Sequence, residues 1–176
     1  MFLRDLSDPL AAFMEADSPE ALWQAAVTMV ETAGYAALNC AEVAPGKGPV
    51  WAKSSMAEAW LYAYATGGFH AIDPLMDGAM AGEREMRLQV GDLSLAGRTN
   101  EKAQAFDRKL AELGYGQFDA MTFDLKTGNR QLVVLISEAA LHGPEAPLIR
   151  ASRRLLIATL AFGLRRLNSS ADDDFL

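Results

Sequence analysis

The chain has 176 residues, 51% of them hydrophobic, which suits one globular domain with a sizeable core. Its 16 basic and 23 acidic residues leave a formal charge of -7, a sign that repels phosphate backbones and excludes nucleic acid as a partner of this chain alone. One cysteine, Cys40, excludes an internal disulfide, and with only His70 and His142 beside it there is no metal-ligand spacing and no cofactor motif. The N-terminus MFLRDLSDPL has no apolar run fit for a signal peptide or a membrane span, so a cytoplasmic protein is expected.

In chain order, Leu3 to Glu15 predicts a helix with Leu6, Leu10, Phe13 and Met14 on its inner side. Ser18-Pro19-Glu20 combines an N-cap, a proline at the first helical position and an early acid, and the helix it opens keeps Leu22, Ala26, Met29, Val30 and Ala33 in phase until Gly34. Tyr35 to Ala41 predicts a strand, the PGKGP run a turn, and Val50 to Lys53 a second strand. Ser55 and Glu58 form a capping-box pattern for a helix closed by Gly67-Gly68, and Met56, Trp60 and Tyr64 stand at i, i+4 and i+8 along it. Asp73-Pro74 starts a short helix through Met80, and Met86 to Val90 predicts a strand.

Asn100 caps the next expected helix, with Ala103, Phe106, Leu110 and Leu113 inward and Gly114 as its stop. Gln117–Leu125 and Arg130–Ser137 predict a hairpin around the glycine-bearing turn 126–129. The last helix, Pro147 to Leu167, is expected to place Leu148, Ala151, Leu155, Ala158 and Phe162 on the core. These elements do not alternate as a doubly wound fold requires. They predict an antiparallel sheet of about five strands covered by helices on both faces, an α/β/α sandwich over residues 1–167, followed by an acidic tail or linker at 168–176.

Catalytic parts are missing: there is no phosphate loop and no nucleophile elbow, and Cys40 sits mid-strand, where a buried thiol is the ordinary occupant. The chain is therefore expected not to be an enzyme. The stretch Ser54 to Pro74 is richer, with Trp60, Tyr62, Tyr64, Phe69, His70 and Asp73 close together. Aromatic surface with one carboxylate is what a pocket for a small apolar ligand with a polar head needs, but the same Met and aromatic row also reads as plain core. Asp73 likewise reads either as the cap of the helix after Pro74 or as a ligand acceptor.

W-x3-Y at Trp60 and Tyr64, followed by D-P at Asp73-Pro74, resembles the pocket signature of the autoinducer-binding domain of LuxR-type quorum-sensing regulators. FDRKLAELGYG, the strand pair FDAMTFDL and RQLVVLIS, and the long last helix resemble that domain in order and length. The resemblance implies a pocket between the sheet and the helices of one side. There the group matching Trp60 donates to the lactone carbonyl of an acyl-homoserine lactone, Asp73 accepts its amide N–H, and Tyr64 lines the acyl chain. Met56, Leu88, Ala120 and Val134 complete the expected site.

The departures are specific. Met56 stands where the family commonly has a tyrosine, Val134 where it offers a hydroxyl, and Leu88 or Val90 where it has a second tryptophan, so a more apolar pocket is expected. Nothing after Leu167 resembles the family's DNA-binding domain. The leading expectation is a small-molecule sensor that dimerises; the alternative is a ligand-independent decoy that pairs with a full-length LuxR-type regulator and silences it.

Overall fold

The computed structural model describes residues 5–92, 101–139 and 147–169. The expected start at Leu3, the cap Asn100 and the tail after 169 lie outside these residues.

Helices α1 (Ser7–Glu15) and α2 (Pro19–Thr32) open the chain, and the Ser18 hydroxyl accepts from Ala21 N–H at 3.2 Å, as its sequence position predicts. Strands β1 (Ala37–Ala44) and β2 (Gly48–Ser54) follow, then α3 (Glu58–Thr66), a 3-10 turn (Phe69–Ala71), α4 (Pro74–Ala81) and β3 (Glu85–Gln89). Next come α5 (Glu101–Glu112), β4 (Gln117–Asp124), β5 (Arg130–Ser137), α6 (Pro147–Leu164) and α7 (Arg166–Ser169). β1 starts later than Tyr35 because the Tyr35 N–H still closes α2 on Val30 O, and the ladder begins with Ala36 N–H on Ile136 O.

The five strands form one antiparallel sheet in the order β2-β1-β5-β4-β3. Side chains alternate across it. Ala37, Ala41, Val43, Leu132, Val134, Ile136, Phe118, Ala120 and Leu88 face the layer of α3, α4 and α5. Leu38, Cys40, Val133 and Leu135 face the layer of α1, α2 and α6. The α/β/α sandwich is therefore observed, with one apolar cluster on each side of the sheet.

Two helix faces differ from expectation. Leu10 and Met14 of α1 are exposed, and only Phe13 is buried. On α6, Leu148, Leu155 and Phe162 are 74%, 68% and 73% exposed, while Arg153, Ile157, Leu160, Ala161, Gly163 and Leu164 face the sheet. Both faces keep the helical period, so periodicity alone did not choose between them. The inner face carries an arginine and a glycine because Asp119 receives Arg153 at 3.0 Å, and the ring of Phe13 packs where a side chain at Gly163 would stand. Beyond α6, Arg166 donates to Gly163 O, Ala16 O and Phe13 O, so one cation serves the C-terminal ends of both α6 and α1.

Candidate functional site

Between the sheet and α3–α4 lies a cavity of about 490 Å³. Its walls are mostly apolar, with Leu75, Met76 and Met80 from α4, Phe106 from α5, and Leu88, Phe118, Leu132 and Val134 from the sheet. Trp60, Tyr64 and Asp73 reach it from the helical side, and Asn39 and Ser54 from the strands.

The start of α3 is built differently from the predicted capping box. Ser55 Oγ accepts from Leu38 N–H at 2.9 Å instead, Ser54 Oγ accepts from Met56 N–H at 3.1 Å, and the Tyr115 hydroxyl accepts from Ala57 N–H at 2.9 Å. Ala57 is the N-cap and has no side-chain bond of its own, so Met56 precedes the helix and does not share a helical row with Trp60 and Tyr64. Gly68 ends this segment in the left-handed region at φ 62 and turns the chain so that Phe69 comes back against the indole.

Trp60 is held by three rings: Tyr64 at 5.7 Å between centroids, Phe69 at 5.8 Å, and Phe106 edge-on at 5.2 Å. The residue is 4% exposed, yet among the described residues its indole N–H has no hydrogen-bond partner. Trp60 lines the cavity, so the indole stands on its wall.

Asp73 does cap α4. Its Oδ1 accepts from Leu75 N–H at 2.9 Å and Met76 N–H at 3.5 Å, and its Oδ2 accepts from the Tyr64 hydroxyl at 2.8 Å. An ionised carboxylate offers about four acceptor positions, so one remains on Oδ2 beside the cavity. Burial pushes the Asp73 carboxyl above its usual range; the bonds from Tyr64, Leu75 and Met76 pull it back down, and Asp77 adds to the rise. Burial also raises the Tyr64 phenol, with Asp73 adding to the shift, which keeps it a proton donor toward that carboxylate. The reading of Asp73 as cap and the reading of it as acceptor are compatible.

Trp60, Tyr64, Asp73, Leu88 and Val134 meet on the cavity wall. Met56 and Ala120, also expected there, are buried in the same apolar cluster but do not line the cavity. The Met56 thioether receives the Asn39 amide at 3.4 Å, and Ala120 is covered within the sheet between Met86 and Val134. Tyr62 points outward at 74% exposure, and His70 stands exposed at the cavity edge. Cys40 faces the opposite layer, where burial pushes its thiol up to about 12, so it holds no thiolate for His70. Among the described residues no group of His, Cys, Asp and Glu could hold a metal ion, and no helix is long and apolar enough to cross a membrane. Asn39 and Ser54 were missed from sequence, although an asparagine at the same strand parity as Ala37, Ala41 and Val43 was a readable signal.

No protein-family model matches the chain, and no curated protein matches its sequence significantly. Solved structures match along nearly its whole length. The N-acylhomoserine lactone dependent LuxR-family transcription factor CepR2 from Burkholderia cenocepacia aligns at TM-score 0.70 and 16% identity, over 92% of both chains. The chain has the LuxR-type autoinducer-binding fold. The LBD domain of VqsR from Pseudomonas aeruginosa shares that fold at TM-score 0.63 and 18% identity, over 92% of this chain and 96% of that one. SdiA in complex with octanoyl-rac-glycerol shares it at TM-score 0.68 and 17% identity, over 93% of this chain and 66% of that one. Within this LuxR-type fold the cavity lies between the sheet and one helical layer.

Proposed function

We propose that this domain senses a small amphiphile, an acyl-homoserine lactone or a related acylated molecule, and that it works as a dimer which, in a regulator, passes its ligand state to transcription. The observation that carries the reading is the indole N–H of Trp60, without a hydrogen-bond partner among the described residues, on the same apolar cavity as the remaining acceptor position of Asp73. A donor-only indole and an acceptor-only carboxylate read a carbonyl and an N–H or O–H on one head group without ambiguity. The hydrogen bond to the charged carboxylate contributes about 1.5–3 kcal/mol and each buried methylene about 0.8 kcal/mol, so affinity follows chain length and selection follows the head. CepR2 is described as dependent on N-acylhomoserine lactone, and SdiA is seen with octanoyl-rac-glycerol; both ligands join a polar head to an acyl chain.

The ligand-independent decoy calls for a collapsed pocket, and a cavity of about 490 Å³ favours a ligand instead. For the dimer, Leu148, Ala151, Leu155, Ala158 and Phe162 repeat at three- and four-residue steps on the outer face of α6. That is the seam spacing of paired helices, and it supports a second copy as the occupant of this face.

Calorimetric titration with lactones of graded acyl length tests the ligand. Binding should strengthen with chain length, and Trp60→Phe should weaken it by roughly 3- to 10-fold while the protein stays folded. Absence of binding across lactones and monoacylglycerols would overturn the reading. Sedimentation of the Leu155→Glu variant tests the dimer: it should run as a monomer at concentrations where the parent chain is paired.

A further inference from the structure

On the other side of the sheet a second cavity, of about 280 Å³, lies between β3–β4 and α6, lined by Arg87, Arg150, Arg153 and Arg154 and by two carboxylates, Glu85 and Asp119. Among the described residues its lining carries an excess of two positive charges, in a chain whose formal charge is -7. Both carboxylates are already engaged. Asp119 Oδ1 accepts from Arg87 at 2.8 Å and Arg153 at 3.0 Å, its Oδ2 accepts from the Gln117 amide at 2.7 Å, and both oxygens of Glu85 accept from Arg154. Arg150 also lines the cavity, yet among the described residues it has no hydrogen-bond or ion-pair partner.

The arrangement runs against the local rules of a helix. Arg150, Arg153 and Arg154 stand at i, i+3 and i+4, on one face, where like charges repel. They also fall in the N-terminal half of α6, the end whose dipole favours anions, and the first turn there carries no acid. Such breaks belong at functional sites. The guanidinium fork matches the oxygens of a phosphate two bonds at a time, and a phosphate monoester carries about -1.5 to -2 at pH 7, close to the excess in the lining. Small-molecule pockets span about 300–1,000 Å³, so a cavity at the lower edge of that range takes a compact ligand. Arg153, 5% exposed, makes its floor, and the half-exposed Arg87 and Arg154 leave it open to solvent.

We infer that this cavity is a second binding site, one for a phosphate group, free or carried on a small metabolite. Arg150 is the guanidinium that pairs with the anion, against a positive wall that Asp119 and Glu85 hold in place. The sheet separates this site from the acyl cavity, and the two stand independently.

Thermal unfolding of the full chain in rising inorganic phosphate, with ionic strength held constant by chloride, tests the site. The melting temperature should rise and then saturate, as binding to the folded state requires. Arg150→Gln, at an exposed position, should fold and need roughly 10-fold or more phosphate for the same rise, the range of one charged hydrogen bond. Arg108→Gln removes the same charge from an exposed position on α5 and should leave the response as it is. Glycerol phosphate in place of phosphate separates the two sources: half-saturation at a lower concentration assigns a phosphorylated metabolite, and at an equal or higher one the free ion. A rise that never saturates, or one weakened alike by Arg150→Gln and Arg108→Gln, is salt acting on the whole surface and overturns the inference, as does no response to either compound. Lactone titration of Arg150→Gln should match the parent chain, so failure here leaves the acyl reading untouched.

Discussion

Each side of the sheet has a cavity, and the two differ in what their polar groups have already done. The smaller, about 280 Å³, lies between β3–β4 and α6 and is lined by Arg87, Arg150, Arg153 and Arg154 with Glu85 and Asp119. There Asp119 takes Arg87 at 2.8 Å and Arg153 at 3.0 Å, and Arg154 closes on Glu85. The larger cavity is walled mostly by apolar side chains, and among the described residues Trp60 and Asn39, two of the donors on its wall, have no oxygen acceptor. Charged groups that pair with one another glue a helix to a sheet; polar groups left facing an apolar space define a ligand. Size alone does not separate the two.

The largest test of this contrast is Asp119→Ala. It removes the carboxylate that lies 3.0 Å from the Arg153 guanidinium, itself 5% exposed, and the loss of one partner of a buried pair costs about 3–5 kcal/mol. Urea unfolding should show that loss, while the folded fraction should bind ligand with unchanged affinity. A change in affinity without a change in stability would erase the distinction between the two sides.

Two glycines give the next test. A Cβ on Gly163 would collide with the ring of Phe13, which is fully buried and has nowhere to go, so Gly163→Ala should cost about 1–3 kcal/mol. A Cβ on Gly78 would meet the Met86 sulfur, the end of a flexible chain beside the cavity layer, and Gly78→Ala should cost less than about 1 kcal/mol. Equal melting temperatures for the two variants would show that both layers yield alike.

The smallest effect is a pH slope. Burial raises the Asp73 carboxyl in the fold, so the folded protein holds that proton to higher pH than the unfolded chain does. The stability this contributes is complete below the unfolded value, about 3.9, and is lost as pH rises through the folded one. Asp73→Asn has no proton to lose, so its stability should follow a flatter course with pH in urea titrations. Parallel curves for the two proteins would place Asp73 in a water-like environment.

Much of the cavity's helical side was legible because its determinants are local. Trp60 and Tyr64 are one turn apart, and Asp73-Pro74 announces both a helix start and a carboxylate close by. The expected capping box at Ser55 failed for a reason outside local reach: the Ser55 hydroxyl serves Leu38, which is distant in sequence and adjacent only in the folded sheet. Met56 left the helical row as a result. Asn39 went unread because its meaning depends on which strand face turns toward α3–α5 and on Ser54, brought beside it by strand pairing.

The amino-acid order by itself determined the helix starts at Ser18 and Asp73, the hairpin of β4 and β5, an order of helices and strands that does not alternate as a doubly wound fold does and so predicts a helix-covered antiparallel sheet, and the carboxylate at the start of α4. These follow from backbone propensities and short-range hydrogen bonds, which act within a few residues. Only the tertiary structure decided which of two apolar faces of α6 meets the sheet, since Arg153 and Gly163 suit an interior only once Asp119 and Phe13 are opposite them. It alone also decided that the aromatic row on α3 borders open space, because whether a side chain is core or wall depends on what stands across from it.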